Sequence, residues 1–158
     1  MRVVEGSGAA DGLRVAVVVS KYNDFVTDRL EKGALAALAD RRVDDVTVVR
    51  VPGAFEIPTA ARLAANTGRF DAIVCLGCLI RGATPHFEYI SSAVANGLTS
   101  GAGETGVPMS FGVLTTNSAE EALERAVDGP GNKGWEAAVA AVELALVARA
   151  LNGNRPSR

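Results

Sequence analysis

The chain has 158 residues, 48% of them hydrophobic, with 16 Lys and Arg against 18 Asp and Glu and a formal net charge of −2; its mean hydropathy is +0.19. That size and apolar content suit one compact domain, expected over residues 1–152 with a flexible tail at 153–158. The cations are scattered rather than striped, which argues against a nucleic-acid partner, and no leader or bilayer-length apolar run is present, so a cytoplasmic protein without a membrane partner is expected.

Leu13 to Val19 is a β-branched apolar run that ends in the polar stretch Ser20-Lys21-Tyr22-Asn23-Asp24, the pattern of a buried strand reaching a functional edge. Val26 to Asp40 then repeats apolar residues at helical spacing, with Asp24 favouring the helix N-terminus. Val46 to Val51 reads as a second strand, Pro52-Gly53 as a turn, and Glu56 to Asn66 as a helix with Pro58 in its first turn. A third strand runs from Ala72 to about Leu79, followed by a turn over Ile80 to Ala83 and a helix from about Pro85 to Thr99. Gly101-Ala102-Gly103-Glu104-Thr105-Gly106 spells G-x-G-x-x-G, but it follows a helix and precedes a strand, the reverse of the dinucleotide-binding context, and reads as a flexible connection. A fourth strand covers Met109 to Leu114. Ser118 with Glu121 makes a capping box for a helix ending near Val127, and Asn132 to Leu151 forms the last helix.

Strands that alternate with helices, and that are apolar on both faces, predict an α/β fold: a flavodoxin-like three-layer sandwich with a four-stranded, mostly parallel sheet flanked by helices. Ligands of such sheets bind beyond the carboxyl ends of the strands, so the informative loops start at Ser20, Pro52, Ile80 and Thr115. Cys75 and Cys78 form a C-x-x-C inside an apolar run, where no turn or helix start exposes a thiol, and read as buried free thiols with no metal role.

Ile80-Arg81-Gly82-Ala83-Thr84-Pro85-His86 combines flexible backbone, a hydroxyl N-cap at Thr84 and a proline at the first helical position. The free amides and positive dipole end of such a helix bind anions, and Gly82 and Ala83 allow close approach, so a phosphate fits here. His86, the only histidine, then lies within reach of whatever the phosphate anchors, as a proton shuttle requires; an ordinary capped helix start is the alternative. Tyr22, beside Asn23, is an aromatic that either stacks on a planar heterocycle or packs. Phe55 and Glu56 follow a turn, where the carboxylate either reads hydroxyls or simply favours the helix start. Arg125 and Lys133 supply cations in the region after strand four, and Arg125 serves either as a fork for phosphate oxygens or as dipole compensation.

Four segments together resemble the lumazine synthase family: Val51-Pro52-Gly53-Ala54-Phe55-Glu56-Ile57-Pro58, Ile80-Arg81-Gly82-Ala83-Thr84-Pro85-His86-Phe87, Gly112-Val113-Leu114-Thr115-Thr116 and Gly131-Asn132-Lys133-Gly134. The resemblance runs from Val4 to Asn152 in the family's order and spacing. It implies a cofactor-free condensation of 5-amino-6-(D-ribitylamino)uracil with 3,4-dihydroxy-2-butanone 4-phosphate. By the same resemblance the aromatic at Tyr22 stacks on the pyrimidine beside Asn23, Ala54, Phe55 and Glu56 hold the ribityl chain, and Cys78, Leu79 and Ile80 present backbone to the uracil ring. Ala83 and Thr84 match the butanone-phosphate loop, His86 the proton-transfer residue, and Arg125, with Phe111, a phosphate site contributed by a neighbouring subunit. Lys133 and Glu136 are secondary candidates near the phosphate and the histidine. Tyr22 departs from the family's more usual phenylalanine or tryptophan.

Further implications are self-association into pentamers, with riboflavin synthase as a candidate partner. The short connection Val127-Asp128-Gly129-Pro130-Gly131 matches relatives that close into sixty-subunit shells. Two other functions compete with the enzyme. A signalling receiver of the same sandwich class needs acidic residues at the ends of strands one and three, where this chain has Ser20-Lys21 and Gly77-Cys78. A non-catalytic flavin- or lumazine-binding shell is expected to lose His86 or Arg125, and both are present.

Overall fold

A computed structural model describes residues 1–153. Four strands, β1 (Arg14–Ser20), β2 (Asp45–Val51), β3 (Ala72–Ile80) and β4 (Met109–Thr116), form one sheet in the order β2-β1-β3-β4, and every neighbouring pair is parallel. Helices α1 (Asp24–Asp40), α2 (Ile57–Asn66), α3 (His86–Thr105), α4 (Ala119–Glu124) and α5 (Lys133–Asn152) complete the chain. The tail expected at 153–158 lies, from residue 154 on, outside the described residues.

The central strands explain the layers. Val15, Val17 and Val19 of β1, with Val74, Leu76 and Cys78 of β3, point into a core shared with α1, α4 and α5. Ala16 and Val18, with Ile73 and Cys75, point the other way, into a core shared with α2 and α3. Period-two alternation of apolar residues on both faces therefore yields the expected three-layer α/β sandwich. The edges differ from the expectation. β2 is exposed at Asp45, Thr47 and Arg50, because an edge strand covered by fewer helices keeps polar residues toward water.

The G-x-G-x-x-G stretch is corrected. It is the last turns of α3, which run to Thr105 and end on Gly106 at φ 73°, whose amide bonds to Ala102 O at 2.9 Å. The earlier helix start is also corrected: Pro85, not Thr84, is the N-cap residue of α3, and no side chain caps that end. The Ser118 cap forms as expected, its hydroxyl accepting from Glu121 N at 3.1 Å. The returning Glu121 carboxylate takes the amide of Asn117, at 3.3 Å, and the helix stops at Glu124 rather than near Val127.

The α1–α5 contact is built around Asn132. Its side chain is buried, and its Oδ1 accepts from Gly134 N at 2.7 Å and Trp135 N at 3.2 Å, capping α5. Its Nδ2 donates to Arg29 O of α1 at 3.1 Å. The two helices approach this closely because Gly33 and Gly134 lack side chains: a Cβ at 134 would stand 2.0 Å from Leu30 O, and one at 33 would stand 2.3 Å from Asn132 Oδ1. Asn132→Ala loses the cap and the bridge to α1 together and is expected to lower stability by about 2 kcal/mol, read as a shifted denaturant midpoint with an unchanged slope.

Candidate active site

Past the end of β1 the backbone keeps bonding to β2: Lys21 N donates to Val51 O at 2.8 Å and Tyr22 N to Pro52 O at 3.1 Å. This holds Tyr22 at the sheet's end, where the residue is 71% exposed. Asn23 then adopts the left-handed conformation (φ 62°), which asparagine tolerates better than most residues. Its side chain does not cap α1. Instead Nδ2 donates to Cys78 O at 2.9 Å, tying the loop to β3, the strand beside β1 in the sheet.

Tyr22 and Asn23 face a groove of about 690 Å³, closed on one side by Gly53, Ala54, Phe55 and Glu56 and on the other by Gly82, Thr84, His86 and Phe87, with Leu79 and Ile80 at the end of β3. A short 3-10 turn over Ala54–Glu56 delivers Phe55, which is 64% exposed, and folds Glu56 back until Oε1 lies 3.7 Å from where a Cβ at residue 53 would be. Thr84, one residue before the cap, leaves its hydroxyl free of the helix. The first amides of α3 to find an intrahelical acceptor are those of Glu88 and Tyr89, both on Pro85 O, which leaves the amides of His86 and Phe87 unpaired within the helix, the arrangement that can receive an anion. His86 is exposed in that same turn.

The three backbone candidates of β3 separate. In a parallel ladder the N–H and C=O of one residue point to the same side, and alternate residues to opposite sides. Ile73 N bonds to Pro108 O and Arg81 N to Thr116 O, so the odd-numbered residues, Leu79 among them, serve β4. Cys78 and Ile80 face the β1 side, but β1 pairs with β3 only as far as Leu76. The Cys78 carbonyl is taken by Asn23, which leaves Ile80 offering both a donor and an acceptor toward the groove. Ala83 is exposed in its loop but does not line the groove.

Phe111, Arg125, Lys133 and Glu136 are elsewhere. They line a second groove, of about 530 Å³, between β4 and α5, and the two grooves share no lining residue. Arg125 is held at the end of α4, Nη1 donating to Glu121 O at 2.9 Å and Nη2 lying 3.5 Å from the Glu121 carboxylate, and Lys133 Nζ bonds Glu136 Oε2 at 2.8 Å. The sequence reading missed Tyr89, which lines the first groove and is 72% exposed, and Ile90 beside it. The signal was available: positions 89 and 90 lie three and four residues after His86, on the same helix face.

An open groove beyond the carboxyl ends of parallel strands, edged by exposed aromatics and by a helix start with a histidine, is where α/β folds place their ligand sites. The family model for 6,7-dimethyl-8-ribityllumazine synthase matches residues 12–149. A 6,7-dimethyl-8-ribityllumazine synthase of Syntrophus aciditrophicus (strain SB) is 50% identical over 144 residues, covering 90% of this chain and 94% of the relative. The chain belongs to the 6,7-dimethyl-8-ribityllumazine synthase family, and is a transferase. The expectation of a non-catalytic shell finds no support in these matches. Among the described residues no helix is long and apolar enough to cross a membrane.

Cys75 and Cys78, three apart on β3, fall on opposite faces of the sheet, in different cores, and cannot pair. Burial pushes the Cys78 thiol up to about 11 and the Cys75 thiol further still. Both are expected to resist iodoacetamide at about pH 8 in the folded protein and to react after denaturation, as mass spectrometry of the alkylated chain will register.

Proposed function

We propose that the aromatic groove binds both substrates of the family's condensation and is completed by Arg125 and Phe111 of a neighbouring copy, so that two chains share each active site. The reaction joins 5-amino-6-(D-ribitylamino)uracil to 3,4-dihydroxy-2-butanone 4-phosphate, giving 6,7-dimethyl-8-ribityllumazine, water and inorganic phosphate. The observation that carries the proposal is the division of the candidates: the residues for ring, ribityl chain and proton transfer surround one groove, while the cations Arg125 and Lys133 line another with no residue in common.

In this reading Tyr22 stacks on the pyrimidine, the free N–H and C=O of Ile80 meet the ring edge, and Ala54, Phe55 and Glu56 hold the ribityl chain, Glu56 by accepting from its hydroxyls. Thr84 and the amides that open α3 hold the phosphate, against which the neighbour's Arg125 sets its fork. An aromatic amine and a ketone condense readily once held together, so proximity and orientation supply most of the acceleration. Imine formation, phosphate elimination and ring closure each move protons, which His86 donates and accepts from the first turn of α3. Lys133 and Glu136, paired with each other beside Arg125, act on the phosphate side.

A contact that sets one chain's β4–α5 groove against another chain's aromatic groove is head-to-tail, the kind of contact from which cyclic rings are built. The exposed edge of β4 supports this, and the short connection from α4 to α5 supports assembly of pentamers into a sixty-subunit shell. We extend the proposal to a cytoplasmic enzyme, which unpaired cysteines fit, and to riboflavin synthase as a partner, which co-sedimentation of the two proteins tests.

His86→Ala is expected to lower kcat by up to about a hundredfold without abolishing turnover, followed by lumazine absorbance; total loss with intact folding contradicts the dominance of proximity. Arg125→Ala is expected to cost about ten- to a hundredfold in kcat/KM for the butanone phosphate. Dissociating and reassembling the two variants together should restore about a quarter of the sites, since a mixed ring contains neighbours with both groups intact; no recovery in rings of the correct size, measured by light scattering, rules out sharing. Tyr22→Phe keeps the stacking face and should leave kcat within about twofold while changing analogue affinity through the hydroxyl alone.

A further inference from the structure

Arg81 opens the loop between β3 and α3. Its amide donates to Thr116 O at 2.8 Å, the last rung between β3 and β4. Its guanidinium then engages three partners: Nε donates to Asn117 Oδ1 at 3.0 Å, Nη1 pairs with the Glu88 carboxylate, and Cζ sits 4.6 Å from the centre of the Phe87 ring. Phe87 and Glu88 are the two residues of α3 directly after His86. On the other side the contacts continue. The Asn117 amide donates to Glu121 Oε2 at 3.3 Å, and Glu121 holds Arg125 through both its carbonyl and its carboxylate. One unbroken polar path therefore runs from the first turn of α3 at the aromatic groove to Arg125 at the other groove, with Arg81 at its middle.

We infer that Arg81 is a positioning residue for the condensation: it fixes the first turn of α3, and through Asn117 and Glu121 the guanidinium of Arg125, so that each chain presents its two half-sites in one rigid relation. The inference rests on the proposed sharing of the active site between neighbouring chains. A planar fork that stacks on a ring while donating sideways is a task for which lysine has no equivalent geometry. The Arg81 and Glu88 side chains are 49% and 50% exposed, and ion pairs of that kind add little to folding, so the path is better explained by orientation than by stability.

The test compares Arg81→Met, Arg81→Lys, Asn117→Ala and the Arg81→Met/Asn117→Ala double variant, varying each substrate in turn and reading particle size by light scattering. Arg81→Met is expected to keep the assembly and the unfolding midpoint, to lower kcat/KM for the butanone phosphate about tenfold or more, and to leave KM for the pyrimidine within about twofold. Asn117→Ala should act in the same sense, the double variant should be no worse than Arg81→Met because both cut one path, and Arg81→Lys should recover less than half of the loss. Kinetics of Arg81→Met equal to those of the unaltered chain, equal losses toward both substrates, or losses that multiply in the double variant each overturn the inference. His86→Ala and Arg125→Ala are run alongside: full activity in both sinks the shared-site proposal itself, whereas their loss of activity with an indifferent Arg81 sinks only the role of Arg81.

Discussion

One buried amide meets the hydrogen-bond demands of two helices at once. Asn132 caps the start of α5 with its oxygen and reaches a carbonyl of α1 with its nitrogen, and it does so where Gly33 and Gly134 let the helix backbones nearly touch. Such a group buried without partners would cost more than its bonds return, so the helix crossing is confined to the one geometry that satisfies it. The consequence reaches the chemistry. Lys133, next in the chain, donates its amide to Arg125 O at 2.9 Å, so the end of α4 is registered against the start of α5. The cationic groove along β4 thus inherits its shape from a contact in the α1–α5 layer.

The two grooves express the asymmetry of the sheet. At one end of the order β2 and β1 finish early and β3 runs on, leaving a ledge over which Tyr22, Phe55 and the start of α3 close. At the other end β4 is an unpaired edge against which α5 leans with alanines, leaving room beside Arg125. A single chain therefore has an aromatic half that carries His86 on one side and a cationic half on the other. In the proposed shared site, a reaction that combines a flat ring with a phosphate ester draws on both.

Much of the fold was legible because apolar periodicity and turn chemistry agree along the chain. Val15 to Val19 alternates between two cores as a central strand must, and Ser118 and Asn132 cap the helices they precede. The stretch from Gly101 to Gly106 misled because glycine composition suggests a loop. Of these glycines Gly101 answers a tertiary demand, since a Cβ there would stand 3.1 Å from Met109 Sδ, as does Gly97 one turn earlier, 2.8 Å from the Pro58 ring; Gly103 has open space around it, and Gly106 ends the helix at a positive φ. Close packing against β4 and α2 overrides the low helix propensity of Gly101 and Gly97, which no local rule reports. The loop around His86 was legible from its residue types, although its cap was misplaced by one residue. The separation of Arg125 from His86 was not legible from spacing, since strand order, not chain order, decides which loops share an end of the sheet. It entered only through resemblance. Tyr89 was overlooked because an aromatic within a helix reads first as packing.

The ledge left by the early end of β1 has an evolutionary meaning. The donor and acceptor that Ile80 turns toward the groove belong to the main chain, and the same groups exist whatever side chain the codon specifies. Mutation can reshape the walls of the groove, its aromatic lid or its charge, but cannot delete this pair without breaking the strand that carries it. Recognition written into the backbone in this way, as proposed for Ile80, is silent to ordinary substitution, and it would give a lineage freedom to vary Tyr22 and its neighbours while a preference for a ring edge with an adjacent acceptor and donor is retained.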